Sequence, residues 1–216
     1  MSTARTLVLS AWEPEVAPLR RLLRGAPGVT LEAVGVGTVD AAVGAAHAIA
    51  RARPRRVIFV GTAGVYPGAA ARALPIGAAT VAGELRLVST ATLRGDAYHP
   101  APLVASAASS ADLRALLVAA AGSPADAGGV TVACPLAITA TTALARRIAR
   151  TGAALENLEA FAVARAAAAA RVPFAAVLGV SNLVGPKAHA EWRANHLAAS
   201  RAACHVVWSY LRPRRA

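Results

Sequence analysis

The chain has 216 residues, with 23 Lys and Arg against 11 Asp and Glu, a formal net charge of +12, 56% hydrophobic residues and 16% charged residues. This composition excludes disorder over most of the length, because a disordered chain carries too little apolar surface to offset the entropy lost on folding. The length is typical of one large α/β domain or two small ones, and it is enough to bury a core.

Neither a membrane span nor a secretion signal is predicted. The most apolar stretch, residues 127–145, is interrupted by glycines, a proline and four threonines, and it falls short of the about 18 to 20 strongly apolar residues that a span needs. The N-terminal apolar run, residues 7–9, is too short for a signal peptide and is soon followed by two glutamates. We therefore expect a cytoplasmic protein without a membrane partner.

The N-terminal part of the chain alternates short apolar runs with amphipathic stretches. Short apolar runs predict buried strands, and apolar side chains three or four positions apart predict helices. These signals predict strands at 6–11, 29–36 and 55–60 and helices at 13–24 and 39–52. The third strand is followed by the glycine-containing segment 61–64, which we expect to form a turn.

The rest of the chain continues the alternation. We predict one or two strands within 76–93, strands at 130–134, 153–156 and 174–180, and helices at 112–121, 141–150, 157–171 and about 188–211. Residues 96–111 are rich in Pro, Ala and Ser and predict a long loop, which in a compact domain is often functional. Strands that alternate with helices indicate an α/β sheet covered on both faces. No linker composition divides the chain, so we expect a single domain over residues 1–216.

The motifs predict neither metal binding nor nucleotide hydrolysis. Cys134 and Cys204 make neither a metal set nor a disulfide framework, and we expect both to be core thiols. The five histidines show no paired ligand spacing. The chain has no GxxxxGK[ST] loop, and GVGTVDAA is not a GxGxxG motif. No metal and no nucleotide hydrolysis of the P-loop kind are expected.

The positive charge is almost entirely arginine, with Lys187 as the only lysine. Clustered cations favour nucleic-acid binding because they release counterions from phosphates. Here the arginines lie in small scattered groups among abundant alanines, as on solvated surfaces, and no nucleic-acid-binding motif accompanies them. We therefore expect no nucleic-acid partner.

Polar residues that follow predicted strands are the candidate site residues, because ligands of α/β sheets bind beyond the carboxyl ends of the strands. They are Trp12, Glu13, Glu15, Thr62, Glu156, Asn157, Glu159, Ser181 and Asn182.

Four of these candidates also have simpler structural explanations. Glu159, in the first turn of a predicted apolar helix, would complement the helix dipole. Glu15 would be a solvated residue of an amphipathic helix, Asn182 would cap a turn, and Thr62 would be a small residue between glycines. Taken singly, the residues leave both interpretations open.

Three segments in order resemble nucleosidases of the purine nucleoside phosphorylase superfamily. SAWEPEVAPLRRLL at 10–23 is similar to the family's GAMxxEVxxL. GTVDAAVGAAHAIARARPRRVIFVGTAG at 37–64 resembles GxVxAAxGAxxLxxxxxPxxVIxxGSAGG. ENLEAFAVARAAAAARVPFAAVLGVSN at 156–182 resembles ENMEGAAxAxxAxxxxVPFxxxRxISN. Within the superfamily, the ENxE and VSN elements followed by Trp192 look most like futalosine hydrolases, which release hypoxanthine from a nucleoside of an alternative menaquinone pathway.

This resemblance implies a three-layer α/β/α fold with a central mixed sheet, a homo-oligomer, a purine nucleoside as the small-molecule partner, and no metal or organic cofactor. Cleavage of an N-glycosidic bond passes through a ribosyl cation. The resemblance assigns Glu15 as the general base that activates water, and Glu159 as the acceptor of the ribose 2′ and 3′ hydroxyls. Asn182 would face the base, and its amide suits a 6-oxopurine such as hypoxanthine better than adenine.

Further substrate-binding residues are implied by the same match. Thr62 would help to hold the water and the sugar, while the glycines beside it permit close backbone approach. Segment 135–139 would form a wall for the base. The full set of implied substrate-binding residues is Thr62, Ala63, Gly64, Asn157, Leu158, Phe161 and Ser181.

The departures from the family pattern keep alternatives open. Leu158 replaces the usual Met under the sugar, Phe161 replaces a small residue, Val65 replaces a Gly, and residues 83–111 match poorly. Leu178 stands where many relatives carry Arg, which favours water over phosphate as the nucleophile because phosphate needs cationic partners. The alternatives are another purine nucleosidase, a nucleoside phosphorylase, or a catalytically silent nucleoside-binding or interaction protein.

Overall fold

A computed structural model describes residues 5–24, 26–121 and 129–212 of the chain. The first two residues of the apolar stretch 127–145 lie outside these ranges. The strands are β1 (Thr6–Ser10), β2 (Val29–Ala33), β3 (Arg56–Val65), β4 (Ala79–Val88), β5 (Ser106–Ala108), β6 (Val130–Pro135), β7 (Leu155–Glu156) and β8 (Phe174–Leu183). The helices are α1 (Glu13–Leu22), α2 (Thr38–Ala52), α3 (Ala69–Ala73), α4 (Thr90–Arg94), α5 (Ala111–Ala121), α6 (Thr142–Ala149), α7 (Ala160–Ala169) and α8 (Ala188–Leu211).

The strands form one mixed sheet with the order β2-β1-β3-β7-β6-β4-β5, and β8 pairs with both β3 and β4. β8 runs parallel to β3 and antiparallel to β4. The pairings β3–β7, β7–β6, β6–β4, β4–β8 and β8–β3 therefore close on themselves. We call these five strands the strand ring.

Helices cover the two faces of the sheet. Alternate residues of each strand point to opposite faces, so each face presents apolar side chains for a helix layer to bury. Leu7 and Leu9 of β1 pack on the side of α2 and α7, whereas Val8 packs on the side of α1, α5 and α8. The alanine-rich faces of α2 and α7 lie against each other in the first of these cores. The predicted α/β/α fold with a central mixed sheet is confirmed.

Two strands extend further than the sequence predicts. β3 runs to Val65, so segment 61–64 is part of a strand and not a turn. β8 runs to Leu183, so Ser181 and Asn182 also lie within a strand. The two strands pair along their whole length, with one irregularity after Ala63, and this pairing carries both beyond their apolar runs.

Other boundaries also differ from the predictions. The helix predicted at 157–171 begins at Ala160, because residues 157–159 form a separate turn. Segment 76–93 holds a single strand, β4, followed by the short helix α4. The predicted loop at 96–111 contains β5, which pairs with β4.

Both cysteines are buried and unpaired, as predicted. No helix within the described ranges is long and apolar enough to cross a bilayer. In the same part of the chain, no three His, Cys, Asp or Glu side chains are grouped so that they could hold a metal ion.

Candidate active site

A cavity of about 390 Å³ lies beside the C-terminal halves of β3 and β8 and the ends of β1 and β7. Its walls include most of the residues that the sequence nominated from distant parts of the chain. These are Glu15, Thr62, Ala63, Gly64, Asn157, Leu158, Glu159, Ser181 and Asn182. Ile138, from the predicted wall segment 135–139, also lines the cavity.

Phe161 does not line the cavity. Its side chain is buried in the core shared by α2 and α7. Residues advance by about 100° per position along a helix, so a side chain two positions after Glu159 points away from it.

Glu15 lies in the first turn of α1 and is only 6% exposed. Its Oε1 accepts hydrogen bonds from the backbone N–H of Thr62 at 2.9 Å and from Thr62 Oγ1 at 2.7 Å. Burial raises the pKa of Glu15 to about 7, although the bonds from Thr62 oppose the shift. A carboxyl group with this pKa can accept a proton near neutral pH.

Trp192 connects α8 to this carboxylate. Its Nε1–H donates to Thr62 Oγ1 at 3.2 Å, and that hydroxyl in turn donates to Glu15. On the opposite side, the Cys204 thiol donates to the backbone carbonyl of Glu15 at 3.2 Å. Contacts from β3 and α8 therefore fix the orientation of Glu15.

Glu159 directly precedes α7 and is 5% exposed. Its Oε1 accepts a hydrogen bond from the backbone N–H of Gly37 at 2.9 Å. Gly37 is the N-cap residue of α2 and has a φ of 88°, so the carboxylate lies at the positive end of that helix. Burial raises the pKa of Glu159, and the Gly37 bond opposes this shift. Glu159 is also the N-cap residue of α7, so its carboxylate lies near the N-termini of two helices, α2 and α7.

Asn157 locks the turn that carries Glu159. Its Nδ2 donates to the carbonyl of Thr62 at 3.0 Å, and its Oδ1 accepts from the N–H groups of Glu159 at 3.0 Å and Ala160 at 2.7 Å. Both ends of this amide are thus engaged within the protein. Asn157 therefore positions Glu159 relative to β3.

Asn182 reaches over Gly64, its partner on β3. A Cβ atom at Gly64 would lie 2.8 Å from Asn182 Nδ2 and 2.8 Å from Val184 Cγ2, so any side chain at this position would displace these two. Ser181 Oγ donates a hydrogen bond to Asn182 Oδ1 at 2.7 Å, and Asn182 Nδ2 donates to the carbonyl of Leu183 at 3.2 Å. One N–H of the amide is left for a ligand, since the NH₂ group carries two donors.

Four aromatic rings, which we call the aromatic wall, pack together beside the cavity, and three of them, Trp12, His189 and Trp192, line it. Trp192 stacks on His196 with ring centroids 4.6 Å apart and on His189 at 5.9 Å, and Trp12 lies 6.0 Å from Trp192. Sequence reasoning treated the histidines singly and missed this cluster. The spacing of His189, Trp192 and His196 would have revealed it, because these positions share one face of a helix.

Glu156 is a further cavity residue to which the sequence assigned no role. It is 7% exposed. Its Oε1 accepts from the backbone N–H of Thr139 at 3.0 Å, and its Oε2 accepts from the Tyr66 hydroxyl at 2.6 Å. Burial, followed by the charge of Glu156, raises the pKa of Tyr66. The phenol therefore stays protonated as a donor.

The cavity is strongly acidic in a chain that is basic overall. Glu15, Glu156 and Glu159 line it, and among the described residues no Arg or Lys does. Leu178, where many relatives carry Arg, is fully buried in the core. Such a site favours a developing positive charge and disfavours a bound anion.

A family model described as the phosphorylase superfamily matches residues 14–212. No curated protein matches the chain at a significant level. The fold is similar to 5′-methylthioadenosine/S-adenosylhomocysteine nucleosidase from Neisseria meningitidis in complex with methylthio-immucillin-A, with a TM-score of 0.83 and 21% identity over 96% of this chain and 98% of that chain.

It is also similar to S-adenosylhomocysteine nucleosidase from Streptococcus pyogenes, with a TM-score of 0.82 and 20% identity over 98% of this chain and 97% of that chain. Futalosine hydrolase from Helicobacter pylori gives a TM-score of 0.81 and 15% identity over 96% of this chain and 97% of that chain. At such identities the structural likeness establishes the fold alone. The family match spans most of the chain, and the protein therefore belongs to the phosphorylase superfamily.

Proposed function

We propose that the protein is a purine nucleosidase that hydrolyses the N-glycosidic bond. The observation that carries the proposal is the cavity with three buried glutamates and, among the described residues, no Arg or Lys in its lining. A ribosyl cation is stabilised by such surroundings, whereas a phosphate nucleophile is repelled. Family membership and the fold shared with nucleosidases support the same activity.

In this mechanism Glu15 is the general base. A water beside Glu15 attacks C1′ of the ribose, its proton passes to the carboxylate, and the C1′–N9 bond breaks with its electron pair leaving on the base. The bonds from Thr62 hold the carboxylate in one orientation, which keeps the acceptor oriented toward the water.

Glu159 acts on the sugar. Its carboxylate would accept hydrogen bonds from the ribose 2′ and 3′ hydroxyls, and its charge would stabilise the cationic transition state more than the neutral substrate. The bond from Gly37 and the turn locked by Asn157 support this role, because they hold the carboxylate at the cavity before substrate binds.

The finer part of the proposal is that the nucleoside is futalosine and the released base is hypoxanthine. Asn182 can donate to N7 or O6 of a neutral 6-oxopurine. The motifs ENxE and VSN followed by Trp192 support this choice through their resemblance to those of futalosine hydrolases. We also propose that the protein forms a homo-oligomer.

Base release is expected to be independent of phosphate. We would incubate the protein with futalosine, inosine, adenosine and methylthioadenosine, with and without phosphate, and separate the products by chromatography. The expected products are hypoxanthine and a free sugar from futalosine at the same rate in both buffers. A strong phosphate requirement with a sugar phosphate as product would instead indicate a phosphorylase, and no release from any nucleoside would indicate a silent homologue.

The hydrolysis rate is expected to fall on the acidic side of neutral pH. Glu15 has a pKa of about 7 and must be deprotonated to accept a proton from water. Below that pH, kcat/KM should therefore drop by about tenfold per pH unit. The measurement is a pH profile of futalosine hydrolysis, with circular dichroism at each pH to verify folding. A flat profile through the neutral range would exclude Glu15 as the base.

A further inference from the structure

Three residues of the cavity stand side by side on neighbouring strands. Glu156 of β7 pairs with Gly64 of β3, and Gly64 pairs with Asn182 of β8. Paired residues project to the same face of a sheet, and neighbouring strands are about 4.8 Å apart. The row Glu156, Gly64 and Asn182 therefore brings a carboxylate and an amide to one face of the cavity, with their backbones roughly 10 Å apart.

Gly64 has no side chain, so space is left between the side chains of Glu156 and Asn182. The Asn182 amide already leans over Gly64, because a Cβ atom there would lie 2.8 Å from its Nδ2. The amide thus reaches from β8 over β3, toward the strand that carries Glu156. One edge of a planar purine can face both groups at once.

The Glu156 carboxylate is held in place and keeps capacity for a ligand. The bonds from Tyr66 and Thr139 use one position on each oxygen, whereas a carboxylate offers about four acceptor positions. Tyr66 is fully buried and Thr139 is 2% exposed, so their two donors are fixed within the protein. Glu156 can therefore accept one more hydrogen bond from the cavity.

This chemistry distinguishes purines at N1. A 6-oxopurine carries a hydrogen on N1, next to O6, whereas adenine presents an unprotonated N1 with a lone pair. A buried acceptor opposite an N–H gains a charge-assisted hydrogen bond, and the same acceptor opposite a lone pair is repelled. Asn182, at the other end of the row, would face N7 and O6 of the same edge.

We propose that Glu156 is a specificity-determining residue that accepts the N1–H of the base and so restricts the site to nucleosides of 6-oxopurines protonated at N1. The inference rests on the proposed nucleosidase function but concerns an atom that the hydrolytic step does not use. Glu15 and Glu159 act on the water and the sugar, whereas Glu156 selects the base.

The test uses probes that differ only at N1. Binding of hypoxanthine and 1-methylhypoxanthine is measured by titration calorimetry, and hydrolysis of inosine and 1-methylinosine is measured by base release. The proteins are the wild type, Glu156→Gln, and Glu84→Gln as a matched control on the surface. Gln keeps the shape, its oxygen can accept from the Thr139 N–H, and the Tyr66 hydroxyl can rotate to accept from the new NH₂ group, so the variant is expected to fold.

The wild type should prefer each N1–H compound over its methylated analogue, and Glu156→Gln should reduce that preference by about tenfold, the difference between a charge-assisted and a neutral hydrogen bond. Adenine binding should strengthen in the variant, since Gln can donate to N1. Glu84→Gln should behave as the wild type does.

Equal losses for both members of a pair would show a merely structural role and overturn the inference. A wild type that binds hypoxanthine no better than its methylated analogue, or that binds neither, would overturn it as well. Absence of hydrolysis with a Glu156-dependent preference in the binding arm would contradict the nucleosidase proposal and still support Glu156 as the base-selecting residue.

Discussion

Replacing Glu159 by Gln is expected to lower kcat/KM for base release by about 100- to 1,000-fold, the range typical of a lost preorganised electrostatic contact. Gln retains an oxygen that can accept from Gly37, so the turn before α7 should stay in place. What is lost is the negative charge opposite the ribosyl cation. The measurement is steady-state hydrolysis of futalosine, with circular dichroism and thermal unfolding to verify the fold.

The matched control for this variant is Glu13→Gln. Glu13 is also a glutamate beside a helix terminus, but it is exposed and paired with Arg20 on the surface. Its replacement should leave hydrolysis unchanged. Undiminished turnover in Glu159→Gln would remove the proposed mechanism, because no other described carboxylate was assigned to the ribose hydroxyls.

The second large effect is expected for Glu15→Gln, which removes the general base. Loss of such a group costs about 100- to 10,000-fold in rate. The acidic limb of the pH profile should disappear together with the activity, since the titrating group is gone. A variant that retains both would show that another group activates the water.

The same substitution should also stabilise the fold at alkaline pH. Burial raises the pKa of Glu15 from its ordinary value of 4.5 to about 7 in the folded protein, so protonation favours the folded state. The stability linked to this group is fully present below pH 4.5 and is lost as pH rises through 7. Gln cannot ionise, so its gain over the wild type at about pH 8 should reach at most about 3 kcal/mol and vanish at about pH 4.

Denaturant unfolding of both proteins at the two pH values tests this prediction. A Glu15→Gln variant that is less stable than the wild type at alkaline pH would contradict it. The expected pattern, in which a residue lowers stability while it supports activity, is common for groups buried for their chemistry.

The sequence predicted well those features that depend on local patterns. β1, α2 and α8 lie close to their predicted bounds, because alternation in a strand and three-to-four spacing in a helix are properties of neighbouring residues. The set of cavity residues was also largely predicted, because motifs with fixed order and spacing identify residues that the fold brings together.

The remaining features depend on contacts that the pattern of apolar residues does not reveal. The C-terminal extensions of β3 and β8 exist because the two strands pair, which neither apolar run reveals. The helix predicted from Asn157 starts later because the amide of that residue binds two N–H groups of its own turn. Phe161 was placed by its closeness to Glu159 in sequence, but helical rotation turns it into the core.

The strand ring bears on how the site moves. Gly64 of β3 is paired on both sides, with Glu156 of β7 and with Asn182 of β8, so its backbone can open only if two strand pairs separate together. For the proposed nucleosidase, we therefore expect the motions that admit the nucleoside and release the products to involve the helical and loop segments around the ring.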